Sequence, residues 1–431
     1  MRYYSTDVFR RSKEKIRIYP AQMGTQSLGT LRVRCISEGF IPITDAVISI
    51  SYPGDTTNII EELTTNENGL TDIVSLPAPP IDYSLEPTLN QPYSVYDIRI
   101  NAPGFERALF SNVEILPEVL ALHEATLTPQ VLEPTREEEI FVIPPHTLYG
   151  DYPPKIPENE IKPTGETGEI VLSRVVVPEY VIVHDGPPNS AANNYWVRFR
   201  DYIKNVASSE IYATWPESTI YANVLAILSF TLNRVYTEWY RNQGYNFTIT
   251  SSTAYDHKWI NGRNIFQNIG TIVDSVFINY LSRPNVRQPI LTQYCDGNRT
   301  QCPGWMTQWG SKTLGDQGYS AIQILRNFYG DSIYINTATE VSGVPSSWPG
   351  TNLTLGSTGN SVRTIQEQLN RIAQAYPALP IVAVDGIFGP RTEEAVRTFQ
   401  EIFGLPANGI VDMPTWFKIS HIYVGVTRMA Q

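Results

Sequence analysis

Two glutamates near the middle of the chain, Glu210 and Glu217, could donate or accept protons in a reaction. Glu217 closes the stretch TWPE at 214–217, which is typical of a capping box with the threonine as N-cap, so we expect it to be structural. Glu210 follows a short helical pattern and precedes Ile211 and Tyr212. A carboxyl group among apolar and aromatic side chains is partly desolvated, which raises its pKa toward that of a general acid. From the residues alone, a general acid and a surface or ion-paired carboxylate are equal alternatives for Glu210.

Helical patterns on both sides of this region must position these groups. Between Pro216 and Arg241, apolar residues recur with a helical period and a broad apolar face, which predicts a largely buried helix. Ile322, Leu325 and Phe328 repeat at spacings of three, which predicts a second helix over 319–329.

Three cysteines, Cys35, Cys295 and Cys302, are too few for a disulfide framework. Six residues separate Cys295 from Cys302, which is wider than the C-x₂₋₄-C spacing of a typical zinc site, and His257 is the nearby histidine. A zinc site, a local disulfide and free thiols are the three alternatives for this pair, and we predict no metal and no cofactor. Cys35 lies in an alternating pattern, so we expect a small buried apolar side chain.

The composition excludes several classes of protein. The net charge is −11 and charged residues make up 17% of the chain, which argues against a nucleic-acid binder that depends on phosphate contacts. A hydrophobic content of 42% argues against bulk disorder. No run of 18 apolar residues predicts a membrane span, and the first residues lack the apolar run of a secretory signal.

The patterning predicts a multidomain α+β protein in five parts. A polar basic arm covers 1–27, an antiparallel β-sandwich 28–128, and a mixed α/β unit 177–345, followed by a helical module at 350–425. Between sandwich and α/β unit, residues 129–176 hold eight prolines, nine acidic and four basic side chains. Proline resists helices and ladders, so this linker is either a plain spacer or a pro-segment that lies over another part.

The sandwich and the C-terminal module each resemble a known family. Pro42 to Ala46, followed by a strand and by LTTNENG at 63–69, resembles the carboxypeptidase-regulatory and transthyretin-like sandwich domains. In the C-terminal module, DGIFG at 385–389, FQ at 399–400 and TW at 415–416 closely resemble the type-1 peptidoglycan-binding domain. This second resemblance implies a three-helix bundle and peptidoglycan as the partner.

The α/β unit resembles the SpoIID/LytB family in two separated motifs. These are YIKNVASSEIYATWPE at 202–217 and GWMTQWG at 304–310, the latter followed by a helix that ends in FYG. The resemblance implies that Glu210 is the catalytic acid of a lytic transglycosylase. We expect further residues of the unit to line the sugar groove, namely Tyr255, Asp256, Asp296, Gln308 and Trp309. Turn architecture is the alternative for Asp296, Gln308 and Trp309.

The complete arrangement resembles the clostridial spore cortex-lytic enzymes. The resemblance implies an inactive precursor in the spore, in the cortex or coat region, that acts on cortex peptidoglycan. A subtilisin-like germination protease of the Csp group would activate it by cutting between Gln130 and Val177. Two alternatives stay open: a non-catalytic binding or activating scaffold, and a hydrolase that pairs Glu210 with Asp256 or Asp296.

Overall fold

The computed structural model describes residues 27–55, 57–130, 138–162, 172–343 and 348–428. The predicted N-terminal arm lies outside these ranges except for its last residue. Over the described ranges the chain is a mixed α+β protein with several parts, as predicted, and it ends in a helical module. Among the described residues, no helix is long and apolar enough to span a membrane.

The first part folds into two β-sheets. Its strands are β1 (Ser27–Ile36), β2 (Val47–Ser51), β3 (Ile59–Thr64), β4 (Val74–Ala78), β5 (Ser94–Asn101), β6 (Ala108–Ile115) and β7 (Leu120–Thr126), with a short helix α1 (Asp82–Leu85), and β8 (Glu139–Val142) follows in the linker. Alternate residues of these strands are buried because successive side chains face opposite sides of a sheet. They include Leu31, Val33, Cys35, Ile48, Ile50, Ile98 and Ile100.

The sandwich is not purely antiparallel. One sheet contains β7-β1-β4 and the other β3-β2-β5-β6-β8. Strands β1 and β7 run parallel, with Thr30 opposite Leu120, and β8 runs parallel to β6, with Ala108 opposite Glu139. The prediction of an antiparallel sandwich over 28–128 is wrong for β1 and β7, whereas β8 comes from the linker. Both β7 and β8 reach their partners over connections longer than a hairpin, so the chain is free to enter in the parallel direction.

The central part combines short strands with five helices in its described residues. The strands are β9 (Val176–Val177), β10 (Tyr180–His184), β11 (Asn194–Arg198), β12 (Ile249–Thr250), β13 (Ile265–Phe266), β14 (Asn279–Ser282), β15 (Tyr294–Cys295), β16 (Met306–Thr307), β17 (Tyr334–Thr337) and β18 (Glu340–Val341). The helices are α2 (Phe199–Glu210), α3 (Glu217–Tyr236), α4 (Gln267–Val276), α5 (Gln308–Asp316) and α6 (Ala321–Tyr329). Helix α3 is buried nearly all round and packs against the other four, so both predicted helices are confirmed.

The predicted capping box at 214–217 does not form. Helix α3 begins at Glu217 with Pro216 as its N-cap, and no side chain caps it. The hydroxyl of Thr214 instead donates to Oγ of Ser84 in α1 (2.7 Å), and the indole of Trp215 donates to the Ser84 carbonyl (2.8 Å). The contact with the sandwich has replaced the local cap.

The C-terminal module consists of α7 (Asn360–Ile372), α8 (Pro390–Phe403) and α9 (Met413–Arg428). Gln366 on α7 holds the first tight turn, since its amide donates to the Ile387 carbonyl and accepts from the Gly386 backbone. Gln400 on α8 holds the second turn in the same way, through Ile410 and Gly409. Two buried glutamines therefore anchor the glycine turns on which the sequence motif depends.

The sandwich and the central part share main-chain and ionic contacts. Strand β13 adds to the sandwich sheet beside β7, with Ile265 opposite Leu122. The guanidinium of Arg263 is buried against Glu114 of β6 (2.6 Å) and also donates to the Ser208 carbonyl in α2. The last turn of α2, which ends at Glu210, is thus tied to the sandwich.

Replacing Glu114 with alanine leaves Arg263 as a buried cation without its partner. We expect a loss of about 3–5 kcal/mol in the free energy of unfolding. Calorimetric unfolding of the full chain measures it. Asp316→Ala, which removes the exposed Lys312–Asp316 pair, is the matched control, with an expected loss of about 0–1 kcal/mol. Equal effects of the two changes would contradict a structural role for the buried pair.

Candidate active site

Glu210 is the last residue of α2, and its carboxyl group is almost fully buried (1% exposed). Oε1 accepts the backbone N–H of Lys258 (2.6 Å), and Oε2 accepts the hydroxyl of Tyr294. Burial raises the pKa of this carboxyl group, and although the Lys155 ammonium and the Tyr294 hydrogen bond oppose the shift, the net direction is upward. Such a group can carry a proton at a higher pH than an exposed glutamate, as a general acid requires.

The geometry around Glu210 follows from the end of α2. Ile211 is extended, which stops the helix and leaves the Glu210 side chain among the elements packed beside it. The loop that supplies the Lys258 amide is pinned to α2, because the side chain of Asn205 donates to the Ile260 carbonyl (2.8 Å) and accepts its N–H (2.9 Å). A single asparagine therefore aligns helix and loop.

Of the predicted groove residues Asp296, Gln308 and Trp309, Gln308 contacts Glu210 directly. Gln308, at the start of α5, donates to the Glu210 carbonyl (3.0 Å). Trp309 packs against Trp215 with ring centres 5.0 Å apart, and it is 9% exposed. Asp296 is buried and accepts the backbone N–H groups of Arg299 (3.0 Å) and Thr300 (2.9 Å), as a turn-initiating aspartate does.

Asp256 is also buried, but it belongs to an ionic cluster. Its carboxylate accepts from Arg234 Nε (2.7 Å), from the Tyr240 hydroxyl (2.7 Å) and from the backbone and hydroxyl of Thr250. The carbonyl of the half-buried Tyr255 accepts from the same arginine (3.2 Å). In this arrangement both oxygens of Asp256 are occupied by protein donors, and neither faces an open groove.

Besides Lys258, whose backbone binds Glu210, two residues that touch the site were not among the predicted ones. Tyr294 donates to Glu210, and its position two residues before Asp296 in QYCDG was the available signal. Lys155 comes from the linker, about 50 residues before α2, and no sequence pattern points to it. Its ammonium donates to the Asp256 carbonyl and lies 5.1 Å and 5.0 Å from the ring centres of Phe230 and Tyr294.

The linker residues 143–162 lie directly over this region, and we call them the strap. Thr147 pairs with the Ser209 carbonyl (3.0 Å), and Ile156 N–H donates to the Ala254 carbonyl (2.8 Å). Lys155 is 6% exposed, and burial lowers the pKa of its ammonium to about 8 despite the nearby Glu210 and Asp256 carboxylates. The strap thus covers the predicted acid with a buried cation.

The cysteine pair forms a disulfide between Cys295 and Cys302, which settles the alternatives left open above. Cys35 is a buried free thiol whose pKa burial raises to about 12, in line with the expected apolar role. His257 hydrogen-bonds the Tyr202 hydroxyl through Nδ1 (3.1 Å), and burial holds its pKa well below the usual range. The described residues contain no group of three or more His, Cys, Asp or Glu side chains that could hold a metal ion.

The helical module at the C-terminus matches a known family. Residues 358–419 match the family described as putative peptidoglycan binding domain. These residues span α7, the two glutamine-anchored turns, α8 and the first part of α9. The chain therefore carries a type-1 peptidoglycan-binding domain at its C-terminal end, and it is associated with the cell wall.

Two curated relatives match only a small part of the chain. One is the zinc D-Ala-D-Ala carboxypeptidase of Streptomyces albus G, 45% identical over 73 residues, or 17% of this chain and 27% of the relative. The other is an uncharacterized protein in the bpoA1 3' region of Kitasatospora aureofaciens, 39% identical over 70 residues, or 16% and 55%. The chain spans about a quarter and about half of the length of these relatives.

Among solved structures, similar chains include the Bacillus anthracis TIE protein, at 18% identity with a TM-score of 0.18 over 24% of this chain and 17% of that one. Catechol 1,2-dioxygenase from Acinetobacter sp. ADP1 is similar at 14% identity with a TM-score of 0.18, over 28% and 60%. Neither likeness extends over the chain as a whole.

Replacing Tyr294 with phenylalanine removes the hydroxyl that donates to Glu210 and keeps the ring. Because this hydrogen bond lowers the pKa of Glu210, we expect that pKa to rise in the variant, so the carboxyl group stays protonated to higher pH. Carbon-13 NMR of the glutamate carboxyl groups in the full chain, assigned with Glu210→Gln, measures the change. Tyr319→Phe, at a 41% exposed position, is the control and leaves the titration unaltered. An unshifted Glu210 signal in the Tyr294 variant would contradict the assignment.

Proposed function

We propose that this protein is the precursor of a peptidoglycan lytic transglycosylase with a SpoIID-like catalytic unit, of the SleC type that degrades spore cortex. The observation that carries the proposal is one buried carboxyl group, Glu210, with a raised pKa, beside a groove motif and in the same chain as a peptidoglycan-binding domain. The pattern around Glu210 resembles the SpoIID/LytB family, and the binding domain supplies the substrate class.

In the proposed reaction Glu210 acts first as acid and then as base. Its proton goes to the oxygen that joins N-acetylmuramic acid to N-acetylglucosamine, and the bond from that oxygen to the anomeric carbon breaks. The resulting carboxylate takes the proton of the muramoyl C6 hydroxyl, whose oxygen bonds to the anomeric carbon. The products are a 1,6-anhydro end and a free hydroxyl on the leaving sugar, Glu210 regains its proton, and no water is consumed.

The positions of the other carboxylates favour this reaction over hydrolysis by two carboxylates. A hydrolase of the usual kind needs a second free carboxylate at a defined separation from the acid. Asp256 is held by Arg234, Tyr240 and Thr250, and Asp296 caps its own turn. One carboxyl group that serves as acid and base fits the transglycosylase.

Glu210→Gln tests the assignment of the acid. With isolated cortex as substrate and the protein cut on both sides of the strap, we expect the release of muropeptides to fall by about 10²–10⁴-fold. Mass spectrometry identifies the products, since anhydro ends lack the mass of one water. Glu217→Gln, at the exposed start of α3, is the matched control and keeps its activity. Reducing ends would replace the mechanism with hydrolysis, and tight binding without products would favour the scaffold alternative.

The precursor part of the proposal rests on the strap. Lys155, Ile156 and Thr147 contact the loop and helix that hold Glu210, and the carboxyl group is buried while they are in place. The sandwich in turn holds the strap, because the Ile143 N–H donates to the Ser111 carbonyl (3.0 Å) and the His146 backbone N–H donates to the Tyr93 hydroxyl (3.1 Å). A glycan strand needs the space that the strap fills.

Protease recognition sequences inserted at 131–137 and at 163–171 test this directly. We expect the uncut chain to release no muropeptides, and the chain cut at both places to be active because the strap can then leave. Cutting at 131–137 alone breaks the link to the sandwich and leaves the strap joined to the central part. We therefore expect this singly cut chain to be less active than the chain cut at both places. Full activity of the uncut chain would show that the strap does not inhibit.

Location and activation complete the proposal. On the resemblance to the spore cortex-lytic enzymes, we propose that the protein lies in the cortex or coat region of the spore and that a Csp-type subtilisin-like protease cuts it. Immunogold labelling of dormant spores and incubation of the full chain with that protease test these two statements.

A further inference from the structure

Two acidic side chains of the strap are each held by an arginine of the central part. Nη1 and Nη2 of Arg234 donate to the Glu158 carboxylate (2.9 and 2.5 Å). Nε and Nη2 of Arg283 donate to the Glu160 carboxylate (both 2.8 Å). Both ion pairs are bidentate, which is the geometry in which arginine binds carboxylates most strongly.

Other groups of the central part hold both arginines in place behind these contacts. Nε of Arg234 is bound by Asp256 (2.7 Å), and its side chain is fully buried. Arg283 donates to the Tyr329 carbonyl and to the Ser332 hydroxyl (both 2.6 Å). These groups do not belong to the strap, so the two guanidinium groups keep their orientation when the strap leaves.

The strap passes the site in a defined order. Lys155 contacts the Asp256 carbonyl and the ring of Tyr294, whose hydroxyl binds Glu210, while Glu158 binds Arg234 and Glu160 binds Arg283. Extended chain advances about 3.3 Å per residue, so Glu158 and Glu160 lie within about 10 Å and about 17 Å of Lys155 along the strap. Beside Arg283, a cavity of about 190 Å³ is lined by aromatic and apolar groups as well, among them Leu291, Trp305, Phe328 and Tyr329.

We propose that Arg234 and Arg283 form a binding site for carboxylate groups of the glycan substrate. In the precursor, the carboxylates of Glu158 and Glu160 occupy this site in place of the substrate. The inference rests on the proposed function. The ligand is a sugar-linked carboxylate, which peptidoglycan offers in two places. One is the lactyl carboxylate of muramic acid that carries no peptide, and the other is the carboxylates of the stem peptide.

The first experiment uses the full chain and needs no catalysis. Glu160→Ala removes the carboxylate that binds the Arg283 guanidinium. The Arg283 Nε–H signal is then followed by NMR during titration with three probes. N-acetylmuramic acid represents the lactyl carboxylate, acetyl-L-Ala-D-Glu the stem peptide, and N-acetylglucosamine is the neutral control. We expect a saturable shift with one or both acids and none with the neutral sugar. Equal responses to all three, or none to any, would overturn the proposal.

The second experiment measures cleavage by the protein cut on both sides of the strap. We expect Arg283→Gln to lower kcat/KM by about tenfold to hundredfold, which is the scale of losing one bidentate ion pair with a substrate carboxylate. Arg287→Gln, at an exposed arginine of the same segment, is the matched control and loses less than about twofold. Substrate whose carboxylates are converted to methylamides should be cleaved equally by wild type and Arg283→Gln.

Two substrates identify the source of the carboxylate. If the lactyl group binds, Arg283→Gln is also impaired on strands stripped of stem peptides by an amidase. If the stem peptide binds, the variant is impaired on intact strands only. The site would be refuted if Arg283→Gln lost as much activity on the methylamide substrate as on the unmodified substrate. It would also be refuted if Arg283→Gln and Arg287→Gln had equal effects. Absence of cleavage by wild type would refute the proposed function and leave the NMR titration to decide the binding site.

Discussion

A carboxyl group in a dry interior needs hydrogen-bond donors on its oxygens, and the central part of this protein is arranged to supply them to Glu210. The donors come from different places in the chain, the Lys258 amide from a loop and the Tyr294 hydroxyl from β15. Each must arrive within hydrogen-bond distance of the end of α2, so helix, loop and strand have little freedom to shift. The pairing of Asn205 with Ile260 and the contact of Gln308 with the Glu210 carbonyl serve this alignment.

A second buried group of charges joins the strap to the same loop. Arg234 is fully buried, which is tolerable because Asp256 and Glu158 balance its charge, while Lys162 adds a further contact to Glu158. One of these two carboxylates, Asp256, belongs to the central part, and the other, Glu158, belongs to the strap. The strap is therefore held by ionic contacts with charged groups of the central part that it covers.

The sandwich contacts both of the other parts. It receives β13 and the Arg263 guanidinium from the central part, and Ser84 in α1 accepts from Thr214 and Trp215, close to Glu210 in the chain. On the C-terminal module, Arg34 lies 4.4 Å from the ring centre of Phe403 and donates to the Tyr376 hydroxyl (3.2 Å). The sandwich thus contacts residues near Glu210 in the central part as well as the peptidoglycan-binding domain.

The sequence by itself determined the features that depend on near neighbours. The periodicity of α3 and α6, the alternation in β1, β2 and β5, and the motif that identifies the peptidoglycan-binding domain all lie within a few turns or strands. Glu210 could be singled out because its apolar neighbours are adjacent in the chain. Tertiary structure alone decided the contacts between distant segments: the parallel pairing of β1 with β7, the addition of β13 to the sandwich, and the Tyr294 and Lys155 contacts at the acid. It also bound Thr214 to Ser84 in place of a helix cap, and it enclosed Asp256 in an ion pair. These outcomes depend on which surfaces meet when the parts pack, and local residue patterns do not encode the partner across that distance.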